Sequence, residues 1–287
     1  MILLSITEML TNARKEHYAV GAFNVLNLEM FQAIINAAEA EKAPVIIQVW
    51  QGDLDHVGGR YIGAIAQAAA KSATCPIALQ LDHGQTFDQV RSCIDWGFSS
   101  IMIDFSSSSF RENLIHTKEV VAEAHSKGVS VEAELGRIFS GLSSVDKQRS
   151  FLTDPDLATQ FVEETGVDAL AVSVGTAHGI YTNGPIIDFD LLEKLIHHVR
   201  IPIVIHGGSF TSDEDIIRMI DLGVAKINIG TELMMEFVNG IKDILREKNQ
   251  DISARELLGY VQRRVEKLVR GKIRILNTLR IESTPHE

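Results

Sequence analysis

The chain has 287 residues, 45% of them hydrophobic and 23% charged, which is the profile of an ordinary globular protein with one large domain or two small ones. A formal net charge of -11 excludes general nucleic-acid binding, which needs a basic face, while leaving room for a local anion site. Cys75 and Cys93 stand in no metal-type spacing and read as reduced packing thiols.

The start, "MILLSITEML", carries no basic leader and no apolar run reaches the length of a membrane span. A cytoplasmic protein with no membrane partner is expected. A helix is predicted from Ile6 to about His17, with Ser5 and Glu8 spaced as a capping box. Short apolar runs then recur as predicted strands at 18–25, 43–50, 76–82, 99–105, 129–135, 169–175, 201–207 and 225–231. Between them lie amphipathic patterns such as "LEMFQAIINAAEAEK" and "DEDIIRMIDLG", several ending at a glycine (Gly97, Gly128, Gly223) just before a strand. A last helix, 253–276, follows the eighth unit and is expected to pack at the barrel rim or across subunits. Strands that are apolar throughout, alternating with amphipathic helices, call for a parallel sheet covered by helices. Eight units fit a (β/α)8 barrel, so the fold class is α/β: one TIM-barrel domain over 1–287, with an N-terminal capping helix and an extra C-terminal helix. Residues 137–153 are too long for a tight turn and are a candidate lid.

In such a barrel, chemistry sits at the C-terminal ends of the strands. The polar residues there are Asn24, Asp82, His83, Asp104, Glu132, Glu134, His178, His206 and Asn228. Taken alone, each histidine reads as a hydrogen-bonded structural residue. Three of them, each followed by a glycine (Gly84, Gly179, Gly207) and each leaving a different strand, favour a metal with an open coordination position. His83 would then bind metal and its neighbour Asp82 would act as an acid–base group. Glu132 and Glu134 are two apart and share a face; for Glu132 an ordinary buried ion pair is as good a reading as a functional one. "HGGSF" (206–210) and "NIGT" (228–231), after strands 7 and 8, suit a phosphate held by backbone N–H groups, and "GTAHGIYTNG" (175–184) would add a third wall.

The motifs "YAVGAFNV", "LDHG", "SIMID", "VSVEAELG", "VGTAHGIY", "IVIHGGS" and "KINIGTEL", in this order, resemble the class II, metal-dependent ketose-bisphosphate aldolases, nearest the tagatose- and fructose-bisphosphate branch, over about residues 5–270. The resemblance implies a homo-oligomer, homodimer or homotetramer, with one zinc per chain on His83, His178 and His206. It makes Asp82 the acid–base group at the C4 hydroxyl, and Asp104 and Glu134 supporting groups or an alternative metal position. Gly179, Gly207, Gly208, Ser209, Asn228 and Thr231 would hold the dihydroxyacetone phosphate half with Asn24, beside a monovalent cation (sodium or potassium). Zinc chemistry of this kind polarises the ketone and stabilises an enediolate, so no Schiff-base lysine is required.

The chain also departs from the family pattern. "HLDH" is here "QLDH", with Gln80; "HGGSG" is "HGGSF"; "IDAS" or "IDGS" is "IDFS". The usual lid glutamate is missing, and the lid holds one acid, Asp146, with Lys147 and Arg149. In strand 2 the small hydroxyl residue facing the far end of the sugar is replaced within "VWQGD" (49–53), where Trp50 and Gln51 are neutral donors. The changes gather at the aldehyde end, while the metal and C1-phosphate end is intact. The expected substrate is a ketohexose 1-phosphate: tagatose or fructose 1,6-bisphosphate, or a 6-substituted analogue such as 6-deoxy-6-sulfofructose 1-phosphate. Two other readings stand beside the lyase: a non-catalytic sugar-phosphate-binding accessory barrel, against which the retained Asp82 argues, and a metal-dependent sugar-phosphate epimerase.

Overall fold

The computed structural model describes residues 2–138, 151–180, 185–248 and 251–279. Eight parallel strands close into a barrel in sequence order: β1 Val20–Asn24, β2 Val45–Trp50, β3 Ile77–Gly84, β4 Ser100–Ile103, β5 Ser130–Leu135, β6 Ala169–Val172, β7 Ile203–Ile205 and β8 Val224–Ile229. β1 closes on β8 through pairs such as Ala22 with Asn228. The eight predicted strands are thus the eight observed, most of them trimmed at their ends, while β3 runs two residues past its expected end to Gly84 and β8 begins one residue early at Val224. Among the described residues no helix is long and apolar enough to cross a membrane.

Local chemistry sets the helix ends. Helix α1 (Ile6–Lys15) is capped by Ser5, whose Oγ accepts from Thr7 N at 3.2 Å; the reciprocal box predicted from Ser5 and Glu8 gives way to this shorter bond. Helix α2 (Leu28–Glu41) is capped by Asn27. The helix at Phe87–Asp95 starts in a full capping box, Thr86 with Gln89, and Gly97 follows it at φ +85°. Helix α10 (Thr231–Glu247) follows β8 directly, and the C-terminal helix α11 (Ala254–Leu276) lies on its own chain. There Arg270 and Arg274 meet Glu41 of α2 at 2.7 and 2.9 Å.

Two apolar layers result. The larger lies between the barrel wall and the surrounding helices, and it takes in both thiols, buried and pushed up to about 11 (Cys75) and 12 (Cys93) by that burial. The smaller fills the bottom of the barrel: Ile6, Met9, Leu10 and Ala13 of α1 plug the space above Ala22, Ile46, Ala78, Ala171 and Val204. Side chains alternate along a strand, so two residues onward the same inner face carries Asn24, Gln48, Gln80 and His206. The interior therefore changes from apolar to polar within a single step along the strands.

Leu10 is fully buried in the plug. Leu10→Ala is expected to destabilise the fold by about 2–5 kcal/mol, the range for truncating a core leucine. Chemical denaturation followed by circular dichroism measures it.

Candidate active site and metal centre

Asp82 and His83 are consecutive in β3, so regular pleating would send them to opposite faces. Both look inward because His83 adopts φ +52°, in the left-handed region that side chains avoid, where the β3–β4 register shifts between Leu81 and Gly84. From this turn His83 Nδ1–H donates to Asp104 Oδ2 at 2.8 Å, and its Nε2 faces His206 Nδ1 at 3.0 Å. His206, from the end of β7, donates Nε2–H to Glu132 Oε1 at 2.9 Å. Two ring nitrogens with their N–H groups already committed outward cannot approach to 3.0 Å unless a proton or a cation lies between them. His178 completes the group, its ring centroid 4.9 Å from that of His83 and 5.7 Å from that of His206.

The protonation pattern fits a cation. Burial, then the neighbouring imidazoles, hold His178 well below its ordinary value; burial also lowers His206, against the pull of Glu132. Burial works against a charge on His83 as well, but Asp82, Asp104 and Glu134 prevail and raise it to about 10. Glu134, fully enclosed, is pushed up to about 8 by burial and then by Asp104, and its Oε2 is a buried atom without a hydrogen-bond partner. That oxygen lies 3.7 Å from His206 Nδ1. The ligating atoms of His83, Glu134, His178 and His206 all lie within 4.8 Å of one another. An orphaned carboxylate oxygen beside three imidazoles is a donor set for zinc. Asp104 acts on this group through His83.

Asp82 stands beside the cluster, 5% exposed, with Asn24 Nδ2 donating to its Oδ2 at 2.8 Å and Asn228 Nδ2 reaching Oδ1 at 3.4 Å. Both carboxylate oxygens are thereby aimed. A cavity of about 540 Å³ opens over these groups. One wall is Gly179, Gly207, Ser209, Gly230 and Thr231, with the N-terminus of α10 behind it. Gly207 sits at φ +76°, and a Cβ there would come within 2.2 Å of Ala177 O, so the close approach of these two backbone segments requires glycine. Ser209 Oγ accepts from Glu232 N at 3.3 Å. Gly208 does not face the cavity; its N–H donates to Asn228 O at 3.0 Å. Phe210, which stands where the family motif has glycine, sits at φ +60°.

The opposite wall was not foreseen in full. After β2 a 3-10 turn, Gln51–Asp53, and a short helix, Leu54–Val57, fold Asp53 back beside Trp50 and Gln85 at the mouth. Asp53 is pushed up by burial. Gln51, expected to face substrate, turns away, and Gln89 Nε2 donates to its Oε1 at 2.9 Å. The only sequence signal was the Thr86/Gln89 capping box, which brings Gln89 to that position. The lid residues Asp146, Lys147 and Arg149 lie outside the described residues, as does 181–184 of the predicted third wall. The base of the lid is described: Arg137 N donates to Phe151 O at 3.0 Å, and Ile138 lines the cavity.

A parallel barrel with three inward histidines and an aspartate at the C-terminal mouth has the architecture of a TIM-barrel enzyme with a candidate metal centre. The model of the family described as fructose-bisphosphate aldolase class-II matches residues 4–279, and the chain belongs to this family of zinc-dependent aldehyde-lyases. It is 39% identical over 281 residues to a fructose-bisphosphate aldolase of Staphylococcus aureus, covering 97% of this chain and 98% of that one. It is 39% identical over 277 residues to a probable fructose-bisphosphate aldolase of Bacillus subtilis, covering 96% and 97%. Among solved structures, the YdjI aldolase of Escherichia coli K12 superposes with a TM-score of 0.85 at 35% identity, covering 96% of this chain and 97% of that one.

Asp82, Asp104 and Glu134 favour a proton on His83, and a ligand histidine must be neutral, so zinc held by this group would have to displace protons to bind. The raised values of His83 and Glu134 set the sign: affinity increases with pH through the neutral range. Calorimetry at pH 7 in buffers of different ionisation enthalpy should show roughly one or two protons released per zinc bound.

Proposed function

We propose that the chain is a class II aldolase that reversibly cleaves a ketohexose 1-phosphate to dihydroxyacetone phosphate and an aldehyde. The reading rests on one observation: Asp82 and the His83–His178–His206 group converge on one cavity, with the orphaned oxygen of Glu134 beside them. The three histidines would hold one zinc per chain, which supplies a Lewis acid for the ketone and for the enediolate charge. Asp82 takes the proton of the C4 hydroxyl as the C3–C4 bond breaks. The bond electrons pass to the enediolate, which becomes dihydroxyacetone phosphate by taking a proton at C3 from water at the cavity mouth, and C4 becomes the aldehyde carbon. In the reverse direction C3 loses that proton first and Asp82 returns its own to the C4 oxygen. Asn24 and Asn228 keep the carboxylate facing that hydroxyl. The glycine-lined wall and the N-terminus of α10 bind the C1 phosphate through backbone N–H groups. A sodium or potassium ion beside that phosphate, a homodimeric or homotetrameric assembly and a cytoplasmic setting belong to the same proposal.

At the far end the proposal is a substituent other than phosphate, with 6-deoxy-6-sulfofructose 1-phosphate the first substrate to try. What supports it is the wall of Trp50, Asp53 and Gln85. A carboxylate there repels a singly charged sulfonate about half as strongly as a phosphate dianion. Gln51, engaged by Gln89, is withdrawn from this role.

Asp82→Ala should retain zinc and fold while losing cleavage by roughly 10²–10⁴-fold, read by coupling dihydroxyacetone phosphate to a reductase. Near-parental turnover would reduce Asp82 to a structural residue. Release of dihydroxyacetone phosphate also separates the lyase from an epimerase and from a binding protein. On one preparation, kcat/KM for the sulfonate should exceed that for fructose and tagatose 1,6-bisphosphates. A preference of about tenfold for either bisphosphate, about 1.4 kcal/mol in transition-state binding, would reject the altered far end.

A further inference from the structure

Directly under the site the barrel interior holds four fully buried polar side chains from four strands: Gln48 (β2), Gln80 (β3), Glu132 (β5) and Lys226 (β8). Lys226 Nζ meets Glu132 Oε2 at 2.6 Å, and Glu132 Oε1 takes the Nε2–H of His206. The carboxylate therefore fixes the tautomer of that histidine, leaving Nδ1 to face the cluster. Burial opposes the charge on Glu132, but Lys226 and His206 keep it well below the usual carboxylate range.

Gln80, the residue that stands where the family motif has histidine, joins this pair to the other half of the site. Its Nε2 donates to Glu132 Oε2 at 3.0 Å, and its Oε1 accepts from Gln48 Nε2 at 2.9 Å. The same Gln48 amide reaches Asp82 Oδ1 at 3.4 Å. Only one orientation of each amide satisfies this chain, because a carboxylate accepts and cannot donate. Gln48 Oε1 is left buried without a partner. The amide is thus oriented by the acceptors it must serve.

We infer that Gln80 is a positioning residue that couples the metal-bearing His206 to the acid–base Asp82, through Glu132 on one side and Gln48 on the other. A side chain with a donor and an acceptor at fixed opposite edges can set both at once. Neither a purely apolar residue nor a second carboxylate at this place could do so. The inference rests on the zinc-aldolase reading.

The test measures zinc affinity by chelator competition, and kcat and KM at saturating zinc, for the parent, Gln80→Leu, Gln80→His and Gln48→Leu. Gln80→Leu is expected to weaken zinc binding by about 10–100-fold and to lower kcat with KM little changed, the size of effect usual for groups that orient metal ligands. Gln80→His, which restores one donor and one acceptor, should recover most of both. Gln48→Leu should lower kcat while keeping zinc affinity, since it severs the Asp82 side alone; if Gln80→Leu does not fold, this variant carries the test. Parental kcat in Gln48→Leu, or zinc affinity and kcat of Gln80→Leu both within about twofold of the parent, would overturn the coupling. Losses that merely track thermal unfolding would also overturn it. A parent that binds zinc and cleaves substrate while the variants behave as parent leaves the aldolase reading standing. A parent that binds no zinc removes both.

Discussion

The site depends on one departure from strand geometry. A pleated strand shows successive side chains to opposite faces, yet the proposed acid–base group Asp82 and the proposed metal ligand His83 must meet within a few ångströms. The left-handed backbone at His83 resolves the conflict by turning two neighbours to the same side. Such a conformation costs about 1–2 kcal/mol for a residue with a Cβ. It is retained because the hydrogen bond from His83 to Asp104 and the enclosure by the barrel hold it in place. Shifting β3 by one residue would send Asp82 into the helix layer and leave the cavity without its acid.

The second constraint is charge. Asp82, Glu132 and Glu134 lie in or beside a water-poor interior, and each would be expensive to bury alone. The structure treats them differently. Glu132 is neutralised within the fold by Lys226 and held by Gln80 and His206. Asp82 takes amide donors and stands beside His83, whose Nε2 is 4.0 Å from its Oδ1, and Glu134 keeps one oxygen unsatisfied. The carboxylate paired with a lysine lies beneath the site, Asp82 lines the cavity, and Glu134 turns its open oxygen toward the histidine group, where a cation would complete it. Stability and function are in this way separated by one layer along the strand axis.

Much of this was legible in the sequence. The eight strands, the plugging helix and the three histidines all followed from periodicity and from residues placed at strand ends. The order of the motifs pointed to the family. What was hidden was contact between distant strands. No local pattern says that Gln48, Gln80, Glu132 and Lys226 share one layer, because that depends on how the registers close around the barrel. Gln51 looked like a ligand group from its position just after β2. The 3-10 turn that begins there turns its amide toward Gln89 and brings Asp53 to the mouth instead. Ser5 and Glu8 had capping-box spacing, but the backbone at Ser5 presents Thr7 N first.

The plug of α1 has a further consequence. With Ile6, Met9, Leu10 and Ala13 filling the lower barrel, the vessel has a floor, and among the described residues the cavity opens at the C-terminal mouth. Whatever enters by the mouth must leave by it, so two products formed in one cleavage event depart in sequence and not through separate exits. Under the proposed function the C1 phosphate would be anchored on the glycine wall, whereas the aldehyde fragment would have no such anchor. Traffic through the one opening would then order the release, aldehyde first and triose phosphate second. In the synthetic direction the same anchor would seat the triose phosphate before its partner, a kinetic hierarchy favoured by a helix that touches neither molecule.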